Sequence, residues 1–376
     1  MKSKNFMANN MALRPNSWVM DIPDYTPGKH KGAGAGPVVI LSANENPYGA
    51  SPYIAKLKTK PYHRYPDSQA VALRQALASF YQVPATSISC GAGSDEVLQS
   101  IAKSFLSPEK SAIYSQYGFL VYPIAIKSMG ARAVVVPEKK LPDGNFITDL
   151  DAILSLVDET TAVIFLANPN NPTGTMLSLA AIKAFLDKLP PFVLLVLDVA
   201  YAEYVTADGD YSQAVMRLPD TYPNLLVVRT FSKIYGLASL RLGFCVGEQA
   251  VIKIVNKLCN VFNTSQIAQD AGVQALIDQA FVASSCDRNQ KEKMRLQGVL
   301  QQAGFKFYDS QTNFYLLEFA DVATNNDFIN FMENHNVFLR NMKSYHLPNR
   351  VRITIGSKEE NDIFLQWAHE WIKRQN

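Results

Sequence analysis

Cysteine and histidine are both scarce in this sequence. The four cysteines, Cys90, Cys245, Cys259 and Cys286, form no CxxC pair and no regular framework. A disulfide scaffold is therefore not expected, and reduced thiols in or near a core are. The five histidines show no HExxH or other ligand spacing, so no metal site is expected. No apolar run reaches the roughly 18 residues of a membrane-crossing helix. The opening MKSKNFMANNMALRPNSW has two lysines but no apolar stretch behind them, unlike a secretory signal. An excess of one charge is also lacking. Thirty-six Lys and Arg against 33 Asp and Glu leave +3, with no long basic run, which argues against nucleic-acid binding. These absences together lead to the expectation of a cytoplasmic protein with neither membrane nor nucleic-acid partners.

What is present is an ordinary globular balance. The chain has 376 residues, 48% hydrophobic and 18% charged, enough for a large core and two or three domains. Residues 1–36 read as an irregular N-terminal arm, with Pro15, Pro23, Pro27 and the stretch KGAGAGP. Those glycines precede the apolar run VVIL. A dinucleotide loop must follow its strand and open a helix, so a linker is expected here.

From about residue 69, helical and strand patterns alternate. QAVALRQALASFYQV has helical periodicity, and SISCGAGSDEVLQSIAKSFL reads as strand, glycine turn and helix. SAIYS, ARAVVVP, TAVIFLANP, FVLLVLDVA, NLLVVRT and LGFCVG are short, nearly continuous apolar runs. Such runs alternating with helices predict an α/β fold, its mostly parallel sheet sandwiched by helices. After about residue 266 the texture changes to long helices with NFYLLEF, VFLR and RVRITIG, which predicts a smaller α+β domain. The expected division is arm 1–36, large domain 60–266, and small domain 37–59 with 267–376.

Six segments carry candidate chemistry, most of them at strand ends or loops, where open α/β sheets place ligands. Thr230-Phe231-Ser232-Lys233 follows NLLVVRT, with Arg241 eight residues later. A lysine there can form an imine with an aldehyde cofactor, and Ser232 and Arg241 can reach one phosphate. Asp198 ends the apolar run FVLLVLD. A buried carboxylate needs a partner, and a protonated pyridine nitrogen is one, although a helix cap is the simpler reading. Tyr201 and Asn171, the latter in NPNNPTG, can each donate to a phenolic oxygen on such a ring. Gly93, Ser94 and Asp95 in GAGSDE open a helix whose backbone N–H groups suit a phosphate. Tyr117, in YSQYGF, can stack on the ring. Arg352 in RVRITIG and Arg340 in VFLR either bind an anion or lie on a solvated strand face. None of these segments decides alone. Jointly and in this order they predict a pyridoxal 5'-phosphate (PLP) site, anchored on Lys233 as a Schiff base, with Asp198 and Tyr201 as the other catalytic candidates.

This set of motifs resembles the class I/II aminotransferases, a group of fold type I PLP enzymes. The resemblance spans roughly residues 20–370. It rests on LSANENPYGASP, RYPD, GAGSDE, NPNNPTG, RTFSKIYGLASLRLGF, the Asn313-Phe314 pair and RVRITIGSKEEN. More narrowly, it is similar to the histidinol-phosphate branch of that family. The resemblance implies amino transfer between L-histidinol phosphate and 2-oxoglutarate, in histidine biosynthesis. It implies a homodimer in which Tyr65 reaches the neighbouring subunit's cofactor phosphate. It also implies substrate contacts from Tyr25 and Asn44, with Arg340 and Arg352 holding a carboxylate or phosphate. Aromatic amino-acid transaminases and a phosphothreonine-type decarboxylase share these motifs, so the substrate stays open among them. The family usually has Asp-Glu-Ala-Tyr where this chain has Asp198-Val199-Ala200-Tyr201.

Overall fold

The computed structural model describes residues 14–22, 37–57 and 63–375. Tyr25 and the KGAGAG stretch lie outside the described residues. Within the arm, Ser17–Asp21 forms a short 3-10 turn that contacts the helix Val121–Ser128.

In chain order the strands are β1 (Val39–Ile40), β2 (Ile88–Gly91), β3 (Ser111–Ser115), β4 (Arg132–Val136), β5 (Lys139–Lys140), β6 (Phe146–Ile147), β7 (Thr161–Ala167) and β8 (Leu194–Asp198). They continue with β9 (Leu225–Thr230), β10 (Gly243–Gly247), β11 (Lys306–Tyr308), β12 (Phe314–Glu318), β13 (Val337–Phe338), β14 (Arg340–Asn341) and β15 (Arg350–Thr354). The large sheet has seven strands in the order β2-β10-β9-β8-β7-β3-β4. Its central pairs are parallel, and β10 runs antiparallel to both neighbours. β5 and β6 pair as a small ribbon that the apolar pattern does not signal.

The apolar runs form strands because both faces of this sheet are covered. Along β8, Leu195 and Leu197 enter one core while Leu194 and Val196 enter the core on the other side. β7 and β9 alternate in the same way, with Ile164, Leu166 and Val227 on one side and Val163, Phe165 and Val228 on the other. Helices Val71–Tyr81 and Leu179–Leu186 cover the first face, and Gly93–Phe105, Val121–Ser128 and Gln249–Asn256 the second. Helix starts are fixed by side-chain caps: Ser178 accepts from Ala181 N–H, and Ser265 from Ala268 N–H.

The smaller sheet has the order β11-β12-β15-β14, all antiparallel. Helices Gln279–Gln302, Val322–Asn334 and Lys358–Gln375 pack on it through Leu296, Phe328, Phe364 and Trp371. β1 pairs with β13, and Val39 and Leu41 join this core, while Ala50, Ile54 and Leu57 rest on the large one. Helix Gln266–Ile277 also packs into the large core, through Ala268, Ala271 and Leu276. The long helix Gln279–Gln302 spans both cores, with Val282 in one and Leu296 in the other. No helix among the described residues is long and apolar enough to cross a membrane.

Candidate active site

The parallel strands end on one edge of the large sheet, and a cavity of about 580 Å³ opens there. It draws residues from both sheets and from the segment after β1. Asn44, Ser94, Asp95, Asn171, Asp198, Tyr201, Ser232, Lys233, Arg241, Arg340 and Arg352, all singled out above, line it.

Asp198 is the last residue of β8 and only 5% exposed. Burial pushes its carboxyl up to about 6, opposed by hydrogen bonds from Tyr122 and Ala200 and by the charge of Lys233. Tyr122 Oη donates to Oδ2 at 3.1 Å, and the Ala200 N–H to Oδ1 at 3.2 Å. Asp198 caps no helix; Val199, at the family's usual Glu position, is buried in the apolar core beneath it.

Lys233 follows the end of β9, and its Nζ donates to Ala43 O at 2.9 Å. Burial pushes its ammonium down to about 8, helped by the positive charges of Arg352 and Arg241 and opposed by Glu45 and Asp198. Its Nζ lies 5.9 Å from the centre of the Tyr201 ring. The buried Tyr201 hydroxyl accepts from Asn44 Nδ2 at 2.8 Å, and desolvation raises it to about 12. Asn44 has φ of 55°, a left-handed backbone that asparagine tolerates better than most residues.

One end of the cavity is a cradle of backbone N–H groups. Gly93, with φ of 85°, opens the helix Gly93–Phe105. A Cβ there would sit 2.4 Å from Arg241 Nη2. A Cβ on Gly243 would sit 2.3 Å from the Ser94 backbone nitrogen. Both positions require glycine because the helix N-terminus, β10 and the Arg241 guanidinium converge. Arg241 Nη1 donates to Ala238 O at 3.2 Å and to Ser232 Oγ at 3.5 Å, and Arg241 itself is left-handed with φ of 52°.

Two arginines of the small sheet enter the same cavity. Arg352 Nη1 donates to Asn171 Oδ1 at 2.5 Å and Nη2 to Ser42 O at 2.8 Å. Its guanidinium lies over Phe314, 5.2 Å from the ring centre. Both are buried, against the solvated-face reading. The amide oxygen of Asn171 is therefore taken by Arg352, and its NH2 is the end with donors to offer. The NPNNPTG loop contains cis bonds at Asn168-Pro169 and Asn171-Pro172. Asn170 holds it closed, through Asn170 N–H to Thr175 O and Nδ2 to Thr173 Oγ1.

One sequence candidate, Tyr117, is placed elsewhere. Phe119, not Tyr117, lines the cavity. Tyr117 packs on Phe146, ring centres 4.7 Å apart, and its carbonyl accepts from Asn170 Nδ2. The turn after β3 sends alternate residues in different directions, which the sequence does not disclose. Tyr65 is 81% exposed and stacks on Phe262 at 4.4 Å, outside the cavity. Tyr25 is outside the described residues. Sequence reading missed Ser42, Glu45, Phe119, Tyr122 and Tyr345. The signal for Tyr122 was the buried carboxylate at Asp198, which required a donor from somewhere. Among the described residues no cluster of His, Cys, Asp and Glu could hold a metal ion.

The donor set fits a phosphate-bearing pyridine aldehyde. A glycine-built cradle with an arginine faces a phosphate, an amine whose ammonium is pushed down by burial faces an aldehyde, and a buried carboxylate faces a protonated ring nitrogen.

Comparison with known proteins agrees with this geometry. The family model for aminotransferase class I and II matches residues 36–367. The chain is 41% identical to histidinol-phosphate aminotransferase of Rhodopseudomonas palustris (strain HaA2), covering 96% of this chain and 98% of that one. It is 40% identical to that of Geobacillus thermodenitrificans (strain NG80-2), covering 94% and 97%. The crystal structure of histidinol-phosphate aminotransferase from Sinorhizobium meliloti, in complex with pyridoxal-5'-phosphate, superposes with a TM-score of 0.86. It is 25% identical, over 98% of this chain and 100% of that chain. With the sheet order, the lysine at the strand end and the matched family model in agreement, this chain belongs to the class I and II aminotransferases.

Proposed function

We propose that the chain is a PLP-dependent transaminase exchanging an amino group between L-histidinol phosphate and 2-oxoglutarate, as a homodimer in the cytoplasm. The observation that carries the reading is the double cationic endowment of one cavity: Arg241 beside the glycine cradle, and Arg340 with Arg352 on the small sheet. A cofactor phosphate occupies only one anion site, so the second serves a substrate. The two substrates of one cycle present a phosphate and a carboxylate in turn, and guanidinium forks bind either. The relatives of about 40% identity support histidinol phosphate as the first.

When bound, PLP supplies an aldehyde for the amine and a protonated ring that takes up electrons from the substrate carbon. Ser94, Ser232 and Arg241 would hold its phosphate, Asp198 the proton on its ring nitrogen, and Asn171 and Tyr201 its phenolic oxygen. The chain supplies the proton transfers. With its ammonium pushed down to about 8, Lys233 Nζ holds a lone pair in a useful fraction of molecules near neutral pH. It can remove a proton from the substrate carbon and return it as an acid. Arg340 and Arg352 orient the substrate by its anionic end.

A homodimer is supported by the exposed aromatic pair Tyr65 and Phe262, stacked on each other, with the exposed Val261 next to Phe262 in the chain. In this reading Tyr65 leaves its own cavity because it serves the neighbouring one.

A substrate panel tests the reading. Histidinol phosphate, phenylalanine and tyrosine are compared as amino donors to 2-oxoglutarate. Histidinol phosphate is expected to give the highest kcat/KM by a wide margin. Equal or better rates with the aromatic acids would overturn the substrate assignment.

A further inference from the structure

We propose that Tyr122 is a positioning residue, whose buried hydroxyl fixes the Asp198 carboxylate in the orientation and charge state that a protonated pyridine nitrogen requires. The inference rests on the cofactor reading above and deepens it.

Tyr122 sits in the first turn of the helix Val121–Ser128, within the apolar core on the far face of the sheet. It is 1% exposed. Its ring is stacked on Phe165 of β7, centres 5.2 Å apart and 14° from parallel, and meets Phe119 edge-on at 5.9 Å. The ring is thereby fixed by three elements, and the hydroxyl position follows from packing alone. A phenylalanine would fill that space equally well. A phenol there carries a desolvation cost that only a hydrogen bond offsets, and its partner is Asp198 Oδ2 at 3.1 Å.

The two carboxylate oxygens of Asp198 are therefore used in turn, Oδ2 by Tyr122 from the helix and Oδ1 by the Ala200 N–H from its own loop. Two donors from different elements set the plane of the carboxylate before any ligand arrives, which is preorganisation rather than adjustment. They also counter burial, which on its own favours the neutral acid and would remove the charge that holds a pyridinium. The other charged and titratable groups near this pair are Lys233, which favours the carboxylate, and the phenols Tyr201 and Tyr345. Arg352 acts on Tyr201 and Lys233. Tyr122 itself stays a donor throughout, because burial and the adjacent Asp198 charge hold its hydroxyl well above the usual phenol range.

Tyr122→Phe removes the donor and keeps the ring stack. PLP affinity and the pH dependence of the bound cofactor's visible absorbance are measured for both proteins, with thermal melting of the cofactor-free forms alongside. Losing a hydrogen bond to a charged group is expected to weaken PLP binding roughly ten- to a hundredfold. The acid limb of the binding profile should move to higher pH, because the carboxylate loses a donor that favoured its charged form. In an Asp198→Asn background the same substitution should cost little, since the effect runs through Asp198. If Tyr122→Phe does not accumulate as folded protein, 3-fluorotyrosine installed at position 122 alone, a stronger donor, should move the acid limb to lower pH. An unshifted profile with unchanged affinity, or an equal loss in the Asp198→Asn background, overturns the role of Tyr122. A parent protein that fails to bind PLP would instead overturn the cofactor reading, so the two failures are distinguishable.

Discussion

Arg340 of β14 and Arg352 of β15 are direct partners in the antiparallel register, both buried and both lining the same cavity. Like charges placed directly opposite destabilise a sheet. The pairing is understandable where an anionic ligand is shared between them. Arg352 is further committed to Asn171 and Ser42, so its fork is oriented before substrate arrives. Replacing Arg352 by Lys removes the fork and keeps the charge. We expect kcat/KM to fall roughly a hundredfold for both substrates, mostly through KM for Arg340→Lys and through kcat as well for Arg352→Lys. Steady-state kinetics with each substrate varied in turn would show this; an unchanged kcat/KM for 2-oxoglutarate would exclude a shared anion site.

Lys233 gives a stability prediction. Its ammonium is held at about 8 in the folded chain against 10.5 ordinarily. The unfolded chain then binds more protons between those two values. Stability of the cofactor-free protein should rise with pH through that window. Lys233→Met should melt a few degrees higher than the parent at pH 7, with the gap closing above about pH 10. Melting curves across pH check this, and a gap independent of pH would contradict it.

The cradle predicts an intolerant glycine. Gly93→Ala places a methyl 2.4 Å from Arg241 Nη2 at a φ of 85°. Strain of about 1–3 kcal/mol is expected. PLP affinity should drop by at least tenfold because Arg241 must move. Equilibrium titration with PLP is the measurement, and parent-like affinity would remove Arg241 from the phosphate site.

Tyr117 and Phe119 compete for the role of stacking aromatic. Phe119 lines the cavity while Tyr117 packs on Phe146. Phe119→Ala should therefore weaken PLP binding more than Tyr117→Ala, by several-fold. The reverse ranking would mean that the Tyr117 ring turns into the cavity when ligand is present.

Tyr65 offers a test of subunit exchange. Neither Tyr65→Ala nor Lys233→Ala alone should support full activity. When the two variants are mixed and reassociated, half the dimers are mixed, and each of those regains one intact site. Activity should recover to about a quarter of the parent. No recovery, with dimers present by size-exclusion chromatography, would place Tyr65 outside the neighbouring site.

Much of the site was legible because its parts are short strings tied to strand ends. NPNNPTG, GAGSDE and the Ser232-Lys233 pair sit next to apolar runs, and the parallel-sheet rule then puts them on one edge. The role of a side chain beside such a string was less legible. Tyr117 and Phe119 differ by two positions in one turn, and only the packing of that turn decides which lines the cavity. Tyr122 sits inside an apolar helix and reads as core, because its partner, Asp198, is 76 residues away in sequence.

The sequence by itself determined the class of fold and the chemical inventory: buried parallel strands from runs apolar on both faces, a lysine and an aspartate at the ends of two of them, and glycines where backbone must approach. Tertiary structure alone decided the pairings. Arg352 on Asn171, Asn44 on Tyr201, Arg340 opposite Arg352 and Tyr122 on Asp198 all join residues from separate elements. Local pattern reports which face of an element is apolar, while a hydrogen bond across the fold depends on distances that exist only once the layers have packed.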